Sequence, residues 1–254
     1  MLFNYTRYVS NSKVIVGMTS WPNRIQFIQP TIFSIINQVY TPDLFYLILS
    51  EKEFPNKEKD LPQYILDFKN QYNFFKIEWT TDNLKNFKKN IPLIRKYFND
   101  TSVVLYIIDD DIYYKKFYIN DTLKRFEKLN QKNPTVITWN FPWTNGTWNN
   151  DPEGRRLVGS FEILKPQFFK PIVYSITESD LNRYEYLSED NWISYNLQKN
   201  KITFELLPYN NLMTYIEYTN AQNIDALSWK QGKIEYNKIL GYVKNCYDLH
   251  SKSI

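Results

Sequence analysis

Short apolar segments alternate with amphipathic segments over residues 13–108, and this alternation constrains the fold more than any other feature. The apolar segments are rich in Val, Ile and Leu, which favours buried strands, and they cover residues 13–19, 44–50, 76–80 and 102–108. Apolar residues at helical spacing predict helices over 25–38, 61–72 and 91–98. Alternating strands and helices with short connections predict an α/β fold with a mostly parallel sheet, right-handed crossovers and flanking helices. The fourth strand is the most apolar, so we expect it at the sheet centre.

The second half of the sequence is less regular. Its patterns predict helices over 117–130, 189–198 and 233–247, and strands over 135–138, 157–164 and 202–207. No repeat or low-complexity linker divides the chain. We therefore expect a single domain over residues 1–254.

Several residue types are scarce, and this excludes several kinds of site. The chain has one histidine, His250, and one cysteine, Cys246. A zinc site built on several histidines, a Ser-His-Asp triad, a disulfide framework and a Cys-rich metal site are therefore not expected. The 6 glycines form neither a GxGxxG fingerprint nor a Walker A loop. Carboxylates, lysines and hydroxyls must then carry any chemistry.

The net charge of +4, from 31 basic and 27 acidic residues, is mild. It is too weak to indicate nucleic acid as a partner, and it suits an anionic small molecule or loose contact with an acidic membrane surface. The opening residues lack the apolar core of a signal peptide, and no run approaches the roughly 20 apolar residues of a membrane span. We expect a soluble cytoplasmic protein.

Polar residues follow each of the first four predicted strands. They are Thr19-Ser20, Ser50-Glu51, Thr80-Thr81-Asp82 and Asp109-Asp110-Asp111. Ligands of parallel α/β sheets bind at the carboxyl ends of the strands, so these groups should meet at one rim. Exposed loops are often polar in any case, and that reading stays open for the first three groups.

Three adjacent carboxylates, Asp109, Asp110 and Asp111, come directly after the apolar fourth strand. Their mutual repulsion would be relieved by a hard divalent cation such as Mg²⁺ or Mn²⁺. Because strand side chains alternate, we expect Asp109 and Asp111 to share a face and Asp110 to lie on the other. The alternative is a solvated acidic turn.

Two further groups of residues have both a possible chemical role and a purely structural explanation. Lys85, Lys88 and Lys89, with Arg24 after the first strand, could neutralise a diphosphate, although lysine runs are usually solvated helix faces. The segment 188–192 (Ser-Glu-Asp-Asn-Trp) could supply a carboxylate base or merely a helix cap. The aromatic loop at 139–148 could stack on sugar rings or pack in the core.

These segments together resemble the GT-A glycosyltransferases, specifically a bacterial group related to the large inverting family of polysaccharide transferases. The matching segments are Val14 to Arg24 (VIVGMTSWPNR), Thr31 to Gln38 with Leu47 to Ser50, Asp82 to Pro92, Ile108 to Tyr113 (the DxD element), and Glu189 to Trp192. Two departures stand out. The group's Gly-rich stretch is reduced to Gly159-Ser160 before Phe161-Glu162, and Glu189 stands where the group has Asp.

The resemblance implies transfer of a sugar from a nucleotide-diphosphate sugar to a glycan or lipid-linked acceptor, with inversion, in capsule or lipopolysaccharide assembly. Residues 13–115 would be the nucleotide-sugar-binding half and 116–254 the acceptor-binding half. Donor contacts would come from Thr19, Ser20, Arg24, Asp82, Lys89, Asp109 and Asp110. Asp111 and Asp109 would bind Mn²⁺ or Mg²⁺, and Asp190 would be the base, with Glu189 the other candidate.

The resemblance also implies peripheral contact with the inner membrane. Two other functions compete with this one. A metal-dependent phosphotransferase or nucleotidyltransferase also needs paired aspartates and lysines beside a parallel sheet. A carbohydrate-binding module could use the Trp-rich loop, but it would leave the aspartate triplet unexplained.

Overall fold

Most of the described strands belong to one central sheet in the computed structural model, which describes residues 6–139, 161–184, 187–207, 212–216 and 236–252. The sheet strands are β1 (Lys13–Thr19), β2 (Leu44–Ser50), β3 (Phe75–Thr80), β4 (Val103–Ile108), β6 (Thr135–Trp139), β7 (Phe161–Leu164) and β8 (Thr203–Leu207). A separate ribbon pairs β5 (Ile112–Tyr114) with β9 (Met213–Tyr215). The described helices are α1 (Gln29–Ile36), α2 (Gln63–Gln71), α3 (Ile91–Lys96), α4 (Tyr118–Asn130), α5 (Glu178–Arg183), α6 (Glu189–Lys199) and α7 (Tyr236–Ser251).

The strand order in the sheet is β3-β2-β1-β4-β7-β6-β8. The first four strands are parallel, β7 runs antiparallel to both of its neighbours, and β6 pairs with β8 in parallel. The prediction of a mostly parallel sheet flanked by helices is therefore confirmed, and β4 lies at the centre as expected. None of the helices in the described ranges combines the length and the apolar character needed to span a bilayer.

Most predicted boundaries are within one or two residues of the observed ones. The helix predicted over 25–38 is shorter, since α1 begins at Gln29 and has Pro30 in its first turn. Strand β5 was not predicted, because its partner β9 lies about a hundred residues later in the chain. Of the predicted strand 157–164 only β7 is described, and the helix predicted over 233–247 is described from Tyr236. The aromatic loop lies outside the described residues from 140 onward.

Strand β4 forms the middle of the core, and each of its six residues is buried. Helices and neighbouring strands cover it on both sides in one contiguous apolar cluster. A fully buried Val, Ile or Leu side chain contributes about 1.5–3 kcal/mol by leaving water. The aspartates that follow β4 are thus attached to a fully buried strand at the centre of the sheet.

Gly17 of β1 lies where the chain before α3 crosses the sheet most closely. A Cβ atom at this position would come within 2.4 Å of Leu93 Cδ1 and 2.5 Å of the Lys89 carbonyl oxygen. These distances are too short for any side chain, so glycine allows the Lys89 backbone to rest directly on the sheet.

We predict that Gly17→Ala lowers the free energy of unfolding by about 1–3 kcal/mol, because the added methyl group forces the backbone at Lys89 away from β1. Chemical denaturation measures the change. Gly241→Ala in α7 is the matched control, since a Cβ there meets no atom of the described residues within 4 Å. It should be neutral or raise stability by up to about 1 kcal/mol. Equal stability of Gly17→Ala and the wild type would contradict the close packing.

Candidate functional site

The carboxyl ends of β1 and β4 meet at one rim of the sheet, as their polar ends predict. Ser20, directly after β1, donates a hydrogen bond from Oγ to Asp110 Oδ2 at 2.6 Å. Both residues are buried, with 4% and 8% of their surface exposed. The Asp109-Asp110-Asp111 segment is therefore part of a packed site, and the alternative of a freely solvated acidic turn is wrong.

Arg24 pairs with two of the three aspartates. Its Nη2 atom lies 2.7 Å from Asp110 Oδ1 and 3.0 Å from Asp111 Oδ2. Burial raises the pKa of Asp110 to about 6, and the Arg24 guanidinium limits that rise. Burial opposes the charged form of Arg24 as well, but Asp110 and Asp111 outweigh it and raise the Arg24 pKa.

The expected pairing of Asp109 with Asp111 on one face is corrected. Strand β4 ends at Ile108, so strand alternation does not continue through the aspartates. Asp110 and Asp111 meet at Arg24, while Asp109 contacts Lys89. The loop backbone is held by Thr31, whose Oγ1 donates to the Asp110 carbonyl oxygen at 2.9 Å, and by Tyr114, whose hydroxyl accepts from the Asp109 N–H at 3.3 Å.

Lys89 connects the aspartate loop to the start of α6. Its Nζ atom lies 2.7 Å from Asp109 Oδ1 and 3.3 Å from Glu189 Oε2, and the residue is only 4% exposed. Burial alone would lower its pKa, but Asp109, Glu189, Asp190 and Glu162 together raise it well above the usual value. The lysine therefore stays charged, and its ammonium group is the positive partner of both Asp109, after β4, and Glu189, at the start of α6.

The lysines at 85, 88 and 89 lie in different environments. Residues Lys85–Lys89 form a short 3₁₀ helix. Lys88 and Lys89 are both buried, so the expectation of a solvated helix face does not hold for these two residues. Lys88 pairs with Glu53, away from the aspartates. Lys85 is exposed. Of the three lysines, Lys89 is the one that the structure brings to the aspartates.

The first residues of α6 supply the remaining carboxylates. Glu189 is 3% exposed and accepts a hydrogen bond from the side-chain amide of Asn90. Burial raises the pKa of Glu189 to about 8, against the opposing effect of Lys89. Asp190 is partly exposed. Ser188 makes no side-chain cap hydrogen bond, so capping by Ser188 does not explain this segment.

Trp192 fixes the position of α6. It is fully buried, and its Nε1 atom donates to the Val173 carbonyl oxygen at 2.9 Å. A large buried aromatic with a satisfied N–H is a strong anchor for the first turn of a helix. The acid-acid-x-Trp pattern thus combines two carboxylates with the residue that holds them in place.

Sequence reasoning missed Glu162 as part of this site. It lies on β7 opposite Ile107 of β4, is fully buried, and neither of its carboxyl oxygens has a hydrogen-bond partner among the described residues. One oxygen from each of Glu162, Glu189 and Asp190 lies within 4.8 Å of the others. Burial and the neighbouring Glu189 raise the pKa of Glu162 well above its usual value. An acidic residue inside the apolar Phe161–Leu164 strand was the available signal.

Two predicted donor contacts lie outside this cluster. Thr19 donates its hydroxyl to the Ile48 carbonyl oxygen at 2.7 Å, so it links β1 to β2. Asp82 is exposed after β3, and its backbone carbonyl accepts a hydrogen bond from Thr80 Oγ1. Asn90, which sequence reasoning did not select, belongs to the site through Glu189.

We predict that Glu189→Gln stabilises the protein increasingly as the pH rises from about 4.5 to about 8. The folded protein keeps a proton on Glu189 that the unfolded chain has released in this window. The free energy of unfolding of the wild type therefore falls with pH there, by at most about 1.4 kcal/mol per pH unit from this group. The glutamine side chain does not titrate, so the free energy of unfolding of the variant lacks this fall with pH.

Denaturant unfolding at several pH values measures the difference between variant and wild type. Glu58→Gln, at a side chain that is 45% exposed, controls for the loss of a surface carboxylate. A Glu189→Gln difference that stays constant across the window would show that Glu189 does not titrate there.

Comparisons with known proteins give a fold and no family. No protein-family model matches the sequence, and no curated protein matches it. Among solved structures, residues 1–349 of S. aureus TarS in complex with UDP-GlcNAc match with a TM-score of 0.57 and 11% identity, covering 94% of this chain and 66% of that one. TarS 1–349 in a second structure matches with a TM-score of 0.51 and 12% identity, covering 95% and 73%. The chain has a GT-A-like α/β fold.

Proposed function

We propose that the chain is a metal-dependent glycosyltransferase that moves a sugar from a nucleotide-diphosphate sugar to a hydroxyl of a glycan or lipid-linked acceptor. The observation that carries the proposal is the continuous contact from Asp109 through Lys89 to Glu189. It joins the acidic end of the central strand to the carboxylates of α6, so the residues proposed for donor binding and for the base lie side by side.

The donor atoms at the end of β4 suit a divalent cation by their chemistry. Asp109, Asp110 and Asp111 offer carboxylate oxygens, which Mg²⁺ and Mn²⁺ prefer. Asp111 and Asp109 are the proposed ligands; in this structure Asp111 contacts Arg24 and Asp109 contacts Lys89, so the two carboxylates have to turn toward each other when the ion binds. When bound, the cation supplies charge stabilisation for the leaving diphosphate.

Arg24 and Lys89 are the proposed cationic contacts of the donor diphosphate. Both are held in place by carboxylates, so little side-chain entropy is lost when an anion binds. Ser20 and Asp110 fix the loop that carries these groups. Thr19 and Asp82 remain proposed nucleotide contacts at the same edge of the sheet.

Asp190 is the proposed catalytic base. It removes the acceptor hydroxyl proton as that oxygen attacks the anomeric carbon, and the bond from this carbon to the diphosphate oxygen breaks with inversion. Its partial exposure supports this role. Glu189 is a weaker candidate, because a pKa of about 8 leaves it mostly protonated at neutral pH.

The comparison with TarS supports the nature of the donor, since UDP-GlcNAc, a nucleotide-diphosphate sugar, is bound in the TarS structure. Residues 116–254 are the proposed acceptor-binding half. The proposed setting is surface polysaccharide assembly, in the cytoplasm or on the cytoplasmic face of the membrane, where a net charge of +4 favours contact with anionic lipid.

We predict that Asp190→Asn lowers the rate of transfer by about 100-fold or more while donor binding is retained. Asp111→Asn should instead weaken binding of the donor in the presence of Mn²⁺. UDP-, GDP-, CDP- and TDP-linked sugars are screened by thermal shift with and without Mn²⁺. Turnover of the best donor is then followed as release of the nucleoside diphosphate, with water as the acceptor.

Asp67→Asn, on the exposed face of α2, is the matched control and should leave binding and turnover unchanged. Release of a nucleoside monophosphate or pyrophosphate would identify a phosphotransferase or nucleotidyltransferase instead. Wild-type turnover by Asp190→Asn would refute the assignment of the base.

A further inference from the structure

Helices α5 and α7 meet at a second cluster of metal-ligating side chains, away from the aspartates after β4. It consists of Asp180 on α5 and Cys246 and His250 on α7. One ligand atom from each of the three residues lies within 4.8 Å of the other two. His250 Nε2 is 3.0 Å from Asp180 Oδ2.

The cluster brings together the chain's single cysteine and single histidine. They are four residues apart on α7, so their side chains lie on the same face of the helix, one turn from each other. Cys246 is fully buried, Asp180 is 6% exposed, and the His250 side chain is 17% exposed. Thiolate, imidazole and carboxylate are the three ligand types that Zn²⁺ takes in proteins.

Asp180 is already oriented for this role. Its Oδ2 atom accepts hydrogen bonds from the Thr177 N–H at 2.8 Å and the Thr177 hydroxyl at 2.6 Å, as part of the capping box of α5. Hydrogen bonds of this kind fix the direction of a metal-binding carboxylate.

We propose that Asp180, Cys246 and His250 form a three-ligand Zn²⁺ site that fastens α7 to α5. This site is independent of the proposed glycosyl transfer. The scarcity of histidine and cysteine argues against a site built from several residues of either type, but not against a mixed site with one of each. A tetrahedral zinc ion would take its fourth ligand from water.

Binding requires the thiol proton to leave. The S–H bond of Cys246 breaks, the proton passes to solvent, and the sulfur bonds to the metal, with no change in oxidation state. Burial raises the pKa of Cys246 to about 12 in the metal-free protein, so the affinity for zinc should increase with pH.

The site would also support α6. Tyr247, next to Cys246 on α7, packs against Trp192 and Tyr195 of α6, with ring centroids 6.2 and 5.1 Å apart. A zinc ion that links α7 to α5 would therefore also hold α7 against Trp192 and Tyr195 of α6. Zinc should raise the melting temperature of the whole protein, because the assembled site binds it more tightly than the unfolded chain does.

The test uses the full chain, without an affinity tag and after chelator treatment, titrated with Co²⁺ and then Zn²⁺. Cobalt bound to a thiolate gives a near-ultraviolet charge-transfer band, and Cys246 is the only cysteine of the chain. We expect this band at one equivalent of Co²⁺, its loss on addition of Zn²⁺, and a higher melting temperature with Zn²⁺.

Cys246→Ser should abolish the band, and His250→Gln should weaken cobalt binding by at least about tenfold. Asp248→Asn, an exposed carboxylate on the same helix, should change neither. His250→Gln lies at a partly exposed position and keeps the protein testable if Cys246→Ser proves unstable. Absence of the band in the wild type, or unchanged cobalt affinity in His250→Gln, would overturn the proposal.

Discussion

Two cations, the partly exposed Arg24 and the buried Lys89, hold together the acidic groups at the carboxyl edge of the sheet. Arg24 pairs with Asp110 and Asp111, and Lys89 pairs with Asp109 and Glu189. Without these partners, the carboxylates would repel one another more strongly, and burial would raise their pKa values further. A buried ion pair adds little net stability, because desolvation offsets most of the attraction. The ion pairs here keep charged groups in fixed positions, which the proposed recognition of a diphosphate requires.

The surrounding structure serves the placement of Lys89. Gly17 allows the Lys89 backbone to lie directly on β1, and Asn90, the next residue, donates to Glu189. From the other side, buried Trp192 anchors α6 and so fixes Glu189. Contacts of Gly17, Asn90 and Trp192 therefore fix the backbone and side chains around the Lys89 ammonium group. This packing explains how carboxylates that repel one another are held close together.

Much of the fold could be predicted from the sequence, because the first half combines short Val/Ile-rich strands with amphipathic helices. The position of β4 at the sheet centre followed from its uniform apolar character. Strand β5 escaped prediction because its pairing with β9 is long-range. The prediction that Asp109 and Asp111 share a face was wrong, because β4 ends at Ile108 and the alternation of side chains ends with it. Glu162 was missed as a site residue, because one acidic residue in an apolar strand does not show that the strand pairs with β4 or that its carboxyl group lies beside α6.

A crystal structure of this chain with UDP-GlcNAc and Mn²⁺ tests the proposed site most directly. We predict that the diphosphate lies between Arg24 and Lys89, that Asp111 contacts the metal ion, and that Asp190 faces the anomeric carbon. A diphosphate bound elsewhere, with the Arg24 and Lys89 ion pairs intact and no metal ion at Asp111, would contradict it.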